Sequence, residues 1–428
     1  MTARWRRRTF ASLDKLILWA IAWLLGWRSR AFASLDKPNF RLFFIGQCIS
    51  LLGTWMGGAA EAWLVFKLTN SNRMLGTVAA VSMLPLVFSP VGGGLADRFP
   101  KRRMLVVATL FNFFLALTTA ILVFTGLIKV WMIVVLAILG GVILSVEMPV
   151  RQAFLIEMVG KESLLNAVAL NTALFNITRM VGQGLAGPVM KLVGMSWCFL
   201  IDALSFLAVL ASLLLMVLPP KAGPASQWKG FGHFFRYLRE GFRYARGDPG
   251  VRTLIALLAV SMLFGLPYTS QMPAFAHELG LAELGYGLLL SVNGFGAVIG
   301  ALWLAGQGAM YDRRTLVFRM QWLFGASLVA LSFAPRVGLA IPAAMFAGFG
   351  MVTFFSASNA LIQHEAPDAL RGRVLGVWHC VFGSALPVGN VLMGFAAGAI
   401  GVRRSFAVGG AICLVFSLVA YARRPRAA

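Results

Sequence analysis

Three charged side chains stand inside otherwise apolar stretches of this chain: Glu61, Arg179 and Asp202. A carboxylate in such surroundings can take up and release a proton, and a guanidinium can hold an acid or an anionic ligand. Charges there are costly, on the order of 2.5–3.5 kcal/mol at the centre of a membrane helix, so they face protein or a cavity and pair. Two readings follow. In one, Glu61 takes up a proton and Arg179 responds to it or to an acidic substrate. In the other, Arg179 forms a structural ion pair with Glu61 or Asp202. A second cluster lies at Gly93-Gly94-Leu95-Ala96-Asp97-Arg98-Phe99-Pro100-Lys101-Arg102-Arg103-Met104-Leu105, where a glycine turn, one acid and four cations separate two long apolar runs. The cations can hold this loop on one side of a membrane; Asp97 adds nothing to that task and points to a further role.

Enzyme chemistry has little to work with. The four histidines, His233, His277, His364 and His379, are dispersed, and no Ser/His/Asp cluster, metal-ligand spacing or nucleotide-binding P-loop is present. No catalytic residue, metal or cofactor is therefore assigned, and ATP hydrolysis in this chain is excluded. The four cysteines, Cys48, Cys198, Cys380 and Cys413, fall in apolar runs without CxxC spacing and read as small buried hydrophobes.

The elements that must carry these residues are membrane spans. Apolar residues make up 59% and charged residues 12% of the 428, with mean hydropathy +0.81; a soluble domain has about 25% charged residues. A spanning helix needs roughly 20 apolar residues. Runs of that kind lie at Leu42–Ala60, Met74–Ala96, Met104–Ile128, Val130–Val146, Leu164–Met190 and Leu192–Pro220. Six more lie at Thr253–Ala276, Leu284–Tyr311, Met320–Pro335, Val337–Gln363, Val374–Val402 and Ser405–Ala422. Met320–Pro335 is short unless Thr315–Arg319 belongs to it. Glu61 extends the first span, and all three intramembrane charges fall in the outer halves of theirs.

Positive charge is retained on the cytoplasmic side. With the N-terminus inside, the cytoplasmic loops and tails hold 30 of the 38 Lys and Arg residues, which predicts both termini inside. The net charge of +23 then belongs to topology and to anionic lipid heads, and nucleic acid is not a predicted partner. Residues 1–39 form a basic extension in which Trp19, Trp23 and Trp27 line one face of a short interfacial helix. A cleaved signal peptide is the rival reading, opposed by Arg28 and Arg30. The hexamer Phe-Ala-Ser-Leu-Asp-Lys occurs at both Phe10–Lys15 and Phe32–Lys37. Between the two sets of six spans (40–220 and 251–422), residues 221–250 alternate aromatic and arginine residues. They predict a basic amphipathic helix on the inner membrane surface, the alternative being a flexible linker; residues 423–428 are a basic tail.

The halves echo one another. Asp97-Arg98 has a counterpart at Asp312-Arg313, and Leu155-Ile156-Glu157 is matched by Leu361-Ile362-Gln363. With the loop at Gly93–Leu105, these features resemble the major facilitator superfamily of secondary transporters, whose loop between helices 2 and 3 reads Gly-x-Leu-Ala-Asp-Arg-x-Gly-Arg-Lys-x-x-Leu. Pro100 departs from that pattern, standing where the family has glycine. Gly46-Gln47, Gly53-Thr54-Trp55-Met56, Pro149-x-Arg151-Gln152-Ala153 and Pro367-Asp368-x-Leu370-Arg371-Gly372-Arg373 are similar to the bacterial branch of enterobactin-exporter-like permeases.

The resemblance implies an all-α membrane protein of twelve spans in two pseudo-symmetric six-helix bundles, a monomer of the bacterial cytoplasmic membrane working by alternating access. It also implies a latch built from Gly93, Asp97, Arg98, Lys101, Arg102, Asp312 and Arg313. In it Asp97 faces the N-terminal end of the eleventh helix, and a cation of the loop pairs with an acid low on the fourth, for which Glu147 is the candidate. Gly182, Gly184, Gly187 and Pro188 resemble an exporter signature, with Gly294, Gly296 and Gly300 of the eighth span as the matching smooth face; the trailing glycine pair of that signature is absent. The implied function is proton-coupled export of a small amphiphilic molecule such as a drug or siderophore. The alternatives are a lipid or lysophospholipid transporter of the same fold and, from another class, a non-transporting scaffold or sensor.

Overall fold

A computed structural model of the chain describes residues 30–217, 230–307 and 312–423. Among these residues there are helices and no strand. The first half holds α1 (Pro38–Thr69), α2 (Asn72–Met83 and Ser89–Arg98 around a 3-10 turn at Leu84–Phe88), α3 (Lys101–Phe124), α4 (Val130–Gly160), α5 (Glu162–Leu192) and α6 (Met195–Leu215). After α7 (Gly230–Gly247) come α8 (Pro249–Glu278), α9 (Glu283–Gln307), α10 (Arg313–Phe333), α11 (Val337–Glu365), α12 (Asp368–Ile400) and α13 (Val402–Ala422). Eleven of these helices are long and apolar enough to cross a membrane; α2, broken in two, makes twelve with them. The readings made for the extension before Arg30 lie outside the described residues.

Local chemistry sets the breaks. Pro85 and Pro267 lack the amide that a continuing helix needs, and each sits in a 3-10 turn at mid-span; in α8 a π turn at Ser261–Gly265 precedes it. α1 stops at Asn70, which takes a left-handed conformation (φ 45°), and Ser71 then caps α2 by accepting a hydrogen bond from the Met74 amide. Gly160 separates α4 from α5 at φ 74°, ψ 172°, a backbone that strains any residue with a Cβ. α10 runs from Arg313, so Thr315–Arg319 does belong to the ninth span.

Small residues let the spans approach where apolar burial gives no driving force. α1 lies on α6 through Gly46, Gly53 and Gly57, which face Ser212, Ser205 and Asp202. α9 and α11 interlock: a Cβ on Gly296 would overlap the Met345 carbonyl oxygen, and one on Gly348 the Asn293 carbonyl oxygen. A backbone carbonyl inside a helix cannot step aside, and overpacking costs about 1–3 kcal/mol. Gly296→Ala is therefore expected to lower the unfolding temperature in detergent by several degrees. Gly140→Ala, which meets nothing within 4 Å, is the neutral control.

The apolar cores reveal the arrangement of the two halves. At the end remote from the described termini, one continuous core joins residues of both, including Trp63, Leu75 and Met190 with Met272, Tyr286 and Phe406. At the terminal end it divides. One cluster there gathers Phe40, Leu105, Phe154 and Leu213 of the first half; another gathers Leu257, Val317, Phe354 and Trp378 of the second. The halves are sealed together at one end and packed separately at the other.

α7 lies against the start of α12. Gly241 abuts the Arg373 carbonyl, and the Arg373 guanidinium pairs with Glu240 at 2.9 Å. Arg236, Arg239, Arg243 and Arg246 form an exposed stripe on its other side. Before α1, the second copy of the repeated hexamer lies in a 3-10 turn (Arg30–Asp36) fixed at the α4–α5 corner. The Ser34 amide donates to Asn166 Oδ1 at 2.9 Å, and the Ser34 hydroxyl donates to the Ser163 carbonyl at 3.0 Å.

Candidate functional site

The three intramembrane charges do not form one cluster. Glu61 and Asp202 face each other across the α1–α6 contact. Asp202 lies near Thr54 and within electrostatic reach of Glu61, while its Oδ1 is buried without a partner. The anticipated ion pair of Arg179 with either acid is absent among the described residues. The reason is positional: Gly57 and Gly53, which share a helical face with Glu61, turn it toward α6, whereas α5 meets α1 through Trp55.

Arg179 belongs to a different group. On α5 it stands between Phe175 and Gly182, four residues before and three after, which share its side of the helix. Trp55 of α1 covers both: its ring meets Phe175 edge-on at 5.1 Å, and its Cβ lies against Gly182. Across the boundary between halves, Arg179 interacts electrostatically with Tyr268 of α8. Tyr268 is fully buried and accepts a hydrogen bond from Asn293 Nδ2 at 2.6 Å; Asn293 also donates to the Ala344 carbonyl of α11 at 3.0 Å. Neither Tyr268 nor Asn293 is marked in the sequence, because only the fold brings α8, α9 and α11 to Arg179.

At the sealed end, Trp63 of α1 stacks on Tyr286 of α9 (ring centroids 5.1 Å apart, planes at 24°), and the Tyr286 hydroxyl donates to the Ala59 carbonyl at 3.3 Å. Phe66 packs against His277. Asn72 of α2 donates to the Ala397 carbonyl of α12 at 3.1 Å, and Gln271 of α8 donates to the Asn72 carbonyl at 3.2 Å.

The loop at Gly93–Leu105 lies at the terminal end, where the halves are packed separately. Lys101, 8% exposed, pairs with Glu157 at 2.7 Å. Glu147, the acid anticipated for that partnership, is held instead by Arg151, four residues on, and by Asn112 Nδ2 at 2.8 Å. The apolar run ends at Val146 but the helix continues to Gly160, so the acid at its end is Glu157, about 15 Å further along. Arg102 donates to the carbonyls of Leu213 and Leu214 at 2.7 and 2.9 Å, holding the end of α6. Asp97 closes α2 next to Arg98; the position of its side chain lies outside the described residues.

In the second half Asp312 caps α10, accepting from the amides of Arg314 and Thr315 at 3.3 and 3.0 Å. That is a local task, and exposed Arg313 opens the helix beside it. The echo of Lys101–Glu157 is Arg314–Glu365 at 2.6 Å, again joining the first turn of a third helix to the last turn of a fourth.

The exporter-like glycines divide between two contacts. Gly184 faces Ser291 of α9, and Gly187, before Pro188, faces Glu283, Leu284 and Gly287. Gly294 abuts Met180. Gly296 and Gly300 do not join this face; they pack on Met345, Phe349 and Thr353 of α11. Positions 287, 291 and 294 share one helical side, while 296 lies two residues beyond 294 and points away. Gly182 faces α1.

A family model described as transmembrane secretion effector matches residues 29–427. The chain belongs to that family, within the major facilitator superfamily. Curated relatives of this transporter carry cargo names. The staphyloferrin A transporter of Staphylococcus aureus is 25% identical over 395 residues, covering 89% of this chain and 95% of that protein. Macrolide efflux protein A of Streptococcus pyogenes is 24% identical, with 90% and 95% covered. The enterobactin exporter EntS of Escherichia coli is 26% identical over 367 residues, with 83% and 85% covered. Among solved structures, a nucleoside transporter NupG mutant superposes with a TM-score of 0.71 at 12% identity, covering 90% of this chain and 99% of that one. A D-xylose–proton symporter gives a TM-score of 0.69 at 13% identity, covering 90% and 98%. The transporter is a multi-pass membrane protein of the major facilitator fold and not an enzyme.

Proposed function

We propose that this transporter exports a small amphiphilic molecule across the bacterial cytoplasmic membrane by alternating access, in exchange for protons. The observation that carries the reading is the division of the apolar core. The halves share one core at the end remote from the termini and keep separate cores at the terminal end. That is one of the two arrangements an alternating carrier needs, with the second reached by rocking one bundle against the other around a central site. The arginine and lysine distribution supports a cytoplasmic terminal end, and on that reading the structure is the inward-facing state. Export is supported by the α5–α9 contact through Gly184 and Gly187 and by the cargo names of the relatives. Glu61 with Asp202 is the proton-handling pair: intramembrane acids mark proton relays, and no cation neutralises these two among the described residues.

Reconstitution into proteoliposomes tests the reading, with staphyloferrin-, enterobactin- and macrolide-type compounds as cargo and the pH gradient imposed or absent. The expected result is at least one compound whose movement rises several-fold with the gradient and collapses with a protonophore. Movement indifferent to the gradient would remove proton coupling; no movement of any compound would remove export.

A further inference from the structure

Three hydrogen-bond donors line the boundary between the halves, two of them buried without a partner. Arg179 Nη2 and Trp55 Nε1 are both buried and both lack a partner. Trp55 covers the two positions that flank Arg179 on its side of α5, so indole and guanidinium share one lining. The third donor is Tyr268. Its oxygen already accepts the Asn293 amide, which leaves its own proton to give, and it lies within electrostatic reach of Arg179. The intramembrane acids Glu61 and Asp202 lie near each other on the α1–α6 side, and neither forms an ion pair with Arg179 among the described residues. The group therefore carries one positive charge, donor capacity in excess and no counter-ion.

Buried polar atoms are almost always satisfied, and an unsatisfied pair in one place marks a missing partner. A buried guanidinium left without an anion is costlier still. A cation would be repelled here, and a neutral apolar ligand would leave the donors as they are. An oxyanion meets every requirement: one oxygen can receive the arginine, and the other the indole or the phenol, in charge-assisted bonds.

We infer that Arg179, Trp55 and Tyr268 form a subsite for an oxyanion, and that the cargo is an amphiphile bearing a carboxylate or a similar acidic oxygen group. Phe175 beside Trp55 supplies an apolar surface for the remainder of the molecule. This rests on the transporter reading given above and names the cargo class for it.

Equilibrium dialysis with purified full-length protein in neutral detergent tests the subsite without requiring transport. The probes are aryl carboxylates from benzoate to pyrenebutyrate, each paired with its neutral amide. Wild type is expected to bind the larger carboxylates at least tenfold more tightly than their amides. Arg179→Met abolishes that preference, Arg179→Lys keeps part of it, and Trp55→Phe, which retains the ring against Phe175, weakens the carboxylate several-fold while leaving the amide unchanged. Equal binding of acid and amide by wild type, no binding of either, or a preference that survives Arg179→Met overturns the subsite. Vesicle transport of neutral cargo with no acid preference in dialysis would overturn the subsite alone. Acid-selective binding without any vesicle transport would overturn export and leave the subsite standing.

Discussion

Glu61→Gln is expected to reduce transport driven by a pH gradient at least tenfold while cargo exchange without a gradient continues. Glutamine has nearly the shape and polarity of the carboxylic acid and cannot lose a proton, so it separates coupling from architecture. The separation is clean because Glu61 has no cation partner among the described residues. Removing one member of a buried ion pair costs about 3–5 kcal/mol by stranding the other charge. Here nothing positive is stranded; the neighbours are Asp202 and the small face of Gly57. Folding and the arrangement of the two halves are therefore preserved, and any loss reports on the proton. Asp202→Asn is expected to give a smaller defect, because Asp202 is seated against Gly57 in the α1–α6 contact, which leaves Glu61 as the freer member. Gradient-driven rates and gradient-free exchange, measured in the same vesicle preparation, check the prediction. A Glu61→Gln protein with wild-type gradient-driven rates would move the coupling group elsewhere.

The sequence carried the span count and the basic linker helix because both depend on composition over long windows. Charge-free length writes a span, and the alternation of aromatic and arginine residues writes α7. What it left out depends on where helices end and which way they turn. Met74–Ala96 reads as one span, yet Pro85 breaks it into two pieces. The run Val130–Val146 reads as a helix ending beside Glu147, while α4 outlasts its apolar part and delivers Glu157 to Lys101. Glu157 was visible within a repeated tripeptide, but nothing local marked it as an ion-pair partner. Gly294 and Gly296 look like one smooth patch in the chain and lie on different sides of α9. The Arg179 group was the least legible. Its charged member stands out in an apolar run, but Trp55, Tyr268 and Asn293 are ordinary residues of membrane helices until three other helices converge on them.

Asp97→Asn is expected to deplete the outward-facing state without destabilising the fold, and Lys101→Met to do the reverse. The two residues are four apart in one loop, yet they act on different equilibria. Lys101 is tied to Glu157 within the first half, and a rigid rocking of the halves leaves such a pair intact in both states. Its removal takes a cation away from a partly buried carboxylate and lowers the unfolding temperature without changing the conformational bias. Asp97 ends α2, whose inner piece is seated on α4 through Gly92 against Ser145 and Val146. The opposing start of α12 is engaged elsewhere, with Arg373 on Glu240 and Arg371 on Asp368. The halves are packed separately at the terminal end, and a contact between Asp97 and the positive N-terminus of α12 is expected to favour the state in which that end closes. A carboxylate at a helix N-terminus is worth about 0.3–1 kcal/mol when exposed and up to ~2 kcal/mol when partly buried. Losing it shifts the equilibrium by roughly two- to thirtyfold toward the arrangement described here. Spin-label distances across Trp63 and Tyr286, where the far end must part, read that shift directly. A distribution in Asp97→Asn that matches wild type would leave the loop with topology as its whole function, and a bias change in Lys101→Met would mean that its pair does not ride rigidly with one half.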